Sequence, residues 1–248
     1  MRVVVIIPSR YGSIRFDGKP LATICGKPMI QWVCQQAMQA KTIESVHVAT
    51  DDSRIRDAVH RFGGNVIMTS STCRSGTDRV AEAAERLGLD SKDVVVNIQG
   101  DQPLVDPRCF DAVVKPFYDD PAVRMSTLAF AIVDKREITD PKDVKVTFDN
   151  NGDALYFSRA TIPHGRDGVN GYEIYKHLGV YAYTQEFLMC FRALSPGRLE
   201  EIEKLEQLRA MEHGHRIRVV VTPYESPEVD LPVDIQRIEE RIAGMGLC

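Results

Sequence analysis

The run at residues 3–7, five apolar β-branched residues closed by Pro8, limits what this chain can fold into more than any other stretch. It is too short for a helix of ordinary length. It is apolar at every position rather than at alternate ones, so it reads as a strand buried on both faces. The following dozen residues carry Arg10, Arg15 and Lys19, with Gly12 and Gly18 between them, and a helix is expected to begin only near Lys27-Pro28. A cationic, glycine-bearing loop at the C-terminal end of the first strand of an α/β sheet lies where such sheets bind ligands. Arg offers a planar fork and Lys a compact point charge, and the combination suits a polyphosphate. A solvated basic loop is the plainer reading. The flanking strand and the glycines favour phosphate.

The next hundred residues repeat the strand–helix alternation. A helix is expected over 27–40, a strand over 45–50 ending in Asp51-Asp52, a helix over 53–62 capped by Ser53, and a strand over 65–69. The polar loop STCRSGTDR leads to a helix over 77–87, and a strand over 94–98 ends in Gln99-Gly100-Asp101. This spacing implies βαβ units, right-handed crossovers and a parallel sheet. After about residue 125 the pattern changes to strands over 125–133 and 144–148, with a hairpin turn DNNGD before ALYFSR. A loop over 163–174 and a strand over 177–183 follow. Helices are expected over 185–194 and 199–213, the latter with Leu199, Ile202, Leu205, Leu208 and Met211 on one face. A strand over 217–222 and a helix over 233–242 close the chain. The fold class is therefore α/β, a mainly parallel sheet with an α+β insertion. Residues 1–248 read as one domain with a nucleotide-binding core at about 1–125 and 217–248. The region at about 126–216 is inserted.

Composition narrows the function. The formal net charge of −4 argues against a general binder of nucleic acid or of a membrane surface. No apolar run reaches the ~20 residues that span a bilayer, and no signal peptide is evident, so the expected location is the cytoplasm. The six cysteines show no CxxC or metal-type spacing and read as small buried residues of a reducing compartment.

Several residues could carry chemistry. Asp101, at a strand end facing the phosphate loop, either holds Mg²⁺, which prefers oxygen ligands, or caps the helix after Pro107. Asp230, in EVDLPVDI, is a second acid in a loop before a helix that Asp234 could cap. Small residues around Ser75 could present N–H groups to a ligand, and Thr77 could equally be an N-cap. Arg159 and His177 stand beside apolar runs, and Glu206-Gln207 on what reads as a solvated helix flank. The dinucleotide-type GxGxxG is absent, which argues against a nicotinamide cofactor.

Taken together, IIPSRYGSIRFDGKPL, VATDD, SGTDR, VNIQGDQP, ALYFSRATIP, YKHLGVYAY, LEQLR and VDLPVDI resemble the cytidylyltransferases that activate 3-deoxy-manno-octulosonate (Kdo). The resemblance implies a GT-A-like Rossmannoid nucleotidyltransferase fold, a homodimer built through the inserted region, Mg²⁺ dependence, and CTP and a Kdo-type sugar acid as partners. It assigns Lys19, Arg10 and Asp101 to catalysis. Pro8, Ser9, Arg10, Arg15, Lys19, Ser75, Gln99 and Gly100 would meet the nucleotide. Gln99, Arg159, His177, Tyr181, Glu206 and Gln207 would meet the sugar acid, and Asp101 with Asp230 the metal.

The chain also departs from the family pattern. Asp17 stands where the family usually has Pro, Gln102 replaces the acid of QGDEP, and VDLPVD replaces VDTPED. GDQP, IP-x-GRD and GRLE are more similar to the branch that activates 8-amino-3,8-dideoxy-manno-octulosonate (8-amino-Kdo). Such an amine needs a nearby acid or carbonyl, and the sequence does not single one out. Sialic-type acid activation is disfavoured because that family has Lys-Asn where this chain has Lys19-Pro20. A catalytically silent nucleotide-binding homologue is favoured only by Asp17 and Gln102.

Overall fold

In the computed structural model, which describes residues 1–12, 16–168 and 171–247, β1 (Val3–Pro8) is buried at every position. Its continuous apolar run is matched by parallel neighbours on both sides, β4 (Ser45–Thr50) and β6 (Val94–Ile98). β5 (Asn65–Met68) continues the parallel set beyond β4. The two faces of β1 feed different cores. Val3, Val5 and Ile7 pack with α1 (Met29–Ala37), α2 (Ser53–Arg61) and α4 (Pro107–Asp119). Val4 and Ile6 pack with α3 (Gly76–Arg86) and α5 (Gln185–Ala193). Each such side chain contributes about 1.5–3 kcal/mol on burial, so a charge placed in this run would break the fold.

Among the described residues the sheet has nine strands, and its second part is built differently. β10 (Tyr175–Thr184) runs antiparallel between β6 and β7 (Met125–Ala131), and β11 (Arg218–Val221) returns parallel to β7. The hairpin β8 (Lys145–Phe148) and β9 (Ala154–Ser158) hangs on the first residues of β10. A small ribbon, β2 (Thr23–Ile24) with β3 (Lys27–Pro28), precedes α1, so that helix starts at Met29 and not at Lys27. The expected α/β architecture with a mainly parallel sheet and an α+β insertion is the one observed.

Five local expectations are corrected. The helix expected over 199–213 is two helices, α6 (Arg198–Glu203) and α7 (Leu208–Glu212), because Lys204 adopts φ 54° and stops the first. Leu205 and Leu208 are buried but Ile202 is 64% exposed, so the apparent apolar face is not one surface. Asp52, not Ser53, caps α2 by accepting from the Arg54 N–H. Ser75, not Thr77, caps α3, and Asp106, not Asp101, caps α4. Only Cys34 and Cys109 of the described cysteines are buried; Cys73 is half-buried, Cys190 is exposed and Cys25 is disulfide-bonded.

Candidate active site

The C-terminal ends of β1 and β6 lie side by side, and the loops that leave them form the first half of the site. A cavity of about 210 Å³ is lined there by Pro8, Ser9, Arg10, Ser75, Gly76 and Gln99, together with Arg74 and Arg79. No acid is among its described lining residues, although Arg74 and Arg79 are paired with Asp78 at 3.0 Å and Asp51 at 3.3 Å. Ser75 Oγ is already committed to the Asp78 N–H at 3.1 Å. Ser9 Oγ is buried without a partner. A Cβ on Gly100 would stand 2.9 Å from that hydroxyl, so only glycine leaves the approach open. Arg15, expected here, lies outside the described residues.

Lys19 is placed by a 3-10 turn, Lys19–Leu21, entered through Gly18 at φ 67°. Its Nζ is 2.5 Å from Asp101 Oδ2 and donates to the Val229 carbonyl at 3.1 Å. The Val229 N–H in turn donates to the Asp101 carbonyl at 2.9 Å. That backbone bond draws the segment carrying Asp230 against the loop carrying Asp101, a meeting the sequence could not show. Asp230 Oδ2 also lies 3.7 Å from Lys142 Nζ, an arm of the inserted region. Two carboxylates, each facing an ammonium, form an all-oxygen donor set suited to a hard cation. Among the described residues no three acid, His or Cys side chains converge on one metal position. Mg²⁺ habitually takes one or two carboxylates and fills its remaining positions with phosphate oxygens and water, so the residues fit it.

The second half is a larger cleft of about 490 Å³, whose walls include Arg159, His177, Gly179, Ser226, Glu228 and Asp230. Arg159 leaves the end of β9, and among the described residues its guanidinium donates only to carbonyls: Glu203 at 2.7 Å, Pro141 at 2.8 Å and Lys204 at 3.5 Å. Neutral acceptors hold the side chain in place and leave its charge available to a carboxylate. His177 is half-buried, with Nε2 2.9 Å from Thr127 Oγ1. Burial pushes its pKa down to about 3, so the ring is neutral near pH 7. Its ring lies 5.2 Å from that of Tyr181, whose hydroxyl burial pushes far above the ordinary phenol range.

Glu206 and Gln207 sit in the break between α6 and α7, not on a solvated flank. Gln207 is 4% exposed with its Nε2 unpartnered, and Glu206 accepts from Thr77 Oγ1 at 2.5 Å. The Thr77 contact ties the loop beside the first cavity to the break between α6 and α7; Glu206, Gln207 and Tyr181 are not among the residues that line the larger cleft. Sequence reasoning passed over Glu203, which holds Arg159, and Glu228, which faces the cleft. Neither is marked by periodicity, because both owe their place to loop geometry.

Fold and site together define a class, the α/β nucleotidyltransferases. A profile described as cytidylyltransferase matches residues 4–217, and the chain belongs to that family. It is 64% identical over 239 residues to a 3-deoxy-manno-octulosonate cytidylyltransferase of Desulfatibacillum aliphaticivorans, covering 96% of this chain and 98% of the relative. It is 56% identical over 244 residues to an 8-amino-3,8-dideoxy-manno-octulosonate cytidylyltransferase of Shewanella frigidimarina, covering 98% and 99%. Its fold matches, at TM-score 0.93 and 40% identity over 99% of this chain and 100% of the other, a CMP:2-keto-3-deoxy-manno-octonic acid synthetase complexed with CTP.

Proposed function

We propose that this chain transfers CMP from CTP to the anomeric hydroxyl of a Kdo-type eight-carbon sugar acid, Kdo or 8-amino-Kdo, releasing pyrophosphate for lipopolysaccharide assembly. The observation that carries the reading is the junction at Asp101. The loop that carries Asp101 follows Gln99 of the cationic cavity, and its bonds with Lys19 and Val229 bring it to the segment that carries Asp230 of the cleft. There the Arg159 guanidinium has, among the described residues, only carbonyl acceptors. In this reading Arg10, Arg15 and Lys19 hold the triphosphate, and Ser9, Gly100 and the loop at Ser75 admit the nucleotide. Arg159 takes the sugar carboxylate. His177, Tyr181, Gln99, Glu206 and Gln207 orient the ring.

The 2-hydroxyl oxygen then attacks the α-phosphorus. The bond from that phosphorus to the bridging oxygen breaks, pyrophosphate leaves, and the hydroxyl proton is lost to solvent. Negative charge developing on the leaving group falls beside Arg10 and Lys19, which are already in place before the reaction. Asp101 and Asp230 would hold Mg²⁺, which supplies charge neutralisation at the phosphates. His177, being neutral, adds a hydrogen-bonding group to the cleft without a competing charge.

The reading also includes a cytoplasmic homodimer formed through the inserted region. Leu155 and Ile202, 62% and 64% exposed, are apolar side chains of that region that a partner copy could cover. Among the described residues no helix is long and apolar enough to cross a membrane. The test is product analysis: CTP, Mg²⁺ and either sugar acid should give a CMP-sugar and pyrophosphate in equal amounts. UTP or a sialic-type acid should give far less. Tight CTP binding with no product from any sugar acid would overturn the reading in favour of a silent nucleotide-binding protein.

A further inference from the structure

The larger cleft contains a carboxylate that the proposed chemistry does not use. Glu228 opens onto the cleft, and one oxygen of its carboxylate accepts from Gln102 Nε2 at 2.8 Å. Gln102 is fully buried, so this carboxamide is a rigid support and not a surface contact. Of the other acids of the cleft wall, all but Asp140 lie within ion-pair distance of a cation. Lys176 Nζ lies 2.7 Å from Glu137, 3.4 Å from Glu225 and 4.0 Å from Asp143, and Arg241 stands 3.1 Å from Glu225. Asp230 faces Lys142, and Asp140 accepts the Lys142 N–H of its own loop. Among the described residues, Glu228 has no cation within ion-pair distance.

Two unpartnered polar atoms adjoin it. Ser226, 6% exposed and in the same wall, has a hydroxyl with no hydrogen-bond partner, and so does the carbonyl oxygen of Gln102. Gly179, near a register shift in β10, leaves room above the pair. A Cβ there would stand 3.4 Å from Gln102 Nε2 and 3.9 Å from Glu228 Oε1. An ammonium group has three N–H donors and no acceptor. The Glu228 carboxylate, with the Ser226 hydroxyl able to accept as well as donate beside it, offers acceptors for those donors, whereas a sugar hydroxyl brings only one donor.

We propose that Glu228, held by Gln102 and flanked by Ser226, is the subsite for a positively charged amino group on the sugar acid. It thereby sets a preference for the 8-amino substrate over its 8-hydroxy counterpart. The inference rests on the cytidylyltransferase reading and adds a specificity-determining residue to it. It also gives Gln102 a purpose. An acid at 102 would crowd a second negative charge against Glu228, whereas an amide donates to it and orients it.

The test is kcat/KM for 8-amino-Kdo and Kdo, measured in parallel on the wild type, Glu228→Gln and Ser226→Ala, with an Mg²⁺ titration of each. A hydrogen bond to a charged group is lost on substitution, so the amino-to-hydroxy ratio should fall about tenfold or more in Glu228→Gln. It should fall less in Ser226→Ala, with the Mg²⁺ midpoint unmoved in both. An equal loss for both sugars together with a raised Mg²⁺ requirement would overturn the proposal and assign Glu228 to the metal. A ratio unchanged in both variants would overturn it as well. If the wild type turned over neither sugar, the cytidylyltransferase reading itself would fall and the subsite with it, an outcome distinct from the other two.

Discussion

The two halves of the site are built on different principles. In the half proposed for the nucleotide, the groups assigned to the ligand leave the ends of parallel strands β1 and β6 and follow one another along the chain. Ser9, Arg10 and Lys19 come from one loop, and Gln99, Gly100 and Asp101 from another. In the inserted half, Arg159, His177, Tyr181, Glu206 and Gln207 come from a hairpin end, an antiparallel strand and the break between two short helices. The first half is organised by sheet topology, which gathers strand ends at one edge whatever the side chains are. The second depends on particular hydrogen bonds, such as those from Arg159 to three carbonyls and from Thr77 to Glu206. A substitution in the first half should therefore alter ligand chemistry with the frame intact. One in the second should disturb position and charge together.

The largest expected effect is at the junction. Lys19→Ala removes a cation from the triphosphate and leaves Asp101 without its ammonium, so kcat/KM for CTP should fall about a thousandfold, as read by pyrophosphate release. A fall below tenfold would mean that Lys19 serves only to pair Asp101.

Next comes the inserted half. Arg159→Ala should raise KM for the sugar acid by about 10–100-fold and shift KM for CTP far less, separating the halves kinetically. Equal shifts in both would join them into one site.

A smaller effect is expected from Gly100→Ala. The new methyl would meet the buried Ser9 hydroxyl at 2.9 Å, and CTP binding followed by calorimetry should weaken about tenfold while the fold persists.

The smallest effect is a pH dependence. The folded pKa of His177 is lowered to about 3 from an ordinary 6.5, so below pH 6.5 the unfolded chain takes up a proton that the folded one refuses. Stability carried by the neutral ring is present above pH 6.5 and is lost as pH falls toward 3. His177→Gln should flatten the slope of Tm against pH over that window. An unchanged slope would place the ring in a solvated setting.

These differences also explain what was legible in the sequence. The all-apolar run before Pro8 sufficed to place β1 and the loop after it, because a strand buried on both faces leaves few alternatives. Asp101 was visible for the same reason. That Asp230 stands against it was not, since the Val229–Asp101 backbone bond spans most of the chain. The helix break at Lys204 was hidden because Leu199, Ile202, Leu205 and Leu208 keep a helical spacing across it, and that break is what buries Gln207. Ser75 rather than Thr77 as the cap is a one-residue difference that spacing alone does not resolve. Glu228 was passed over because Asp230, two residues on, drew the assignment of an acid to that loop.

The central claim is that one junction joins a CTP site to a sugar-acid site. It is tested most directly by pyrophosphate release from CTP and Mg²⁺, with and without a Kdo-type acid, in the wild type and Asp101→Asn. The account predicts release only when the sugar acid is present, and its near-complete loss in a variant that still unfolds cooperatively. Release without the sugar acid, or undiminished release in Asp101→Asn, would contradict it.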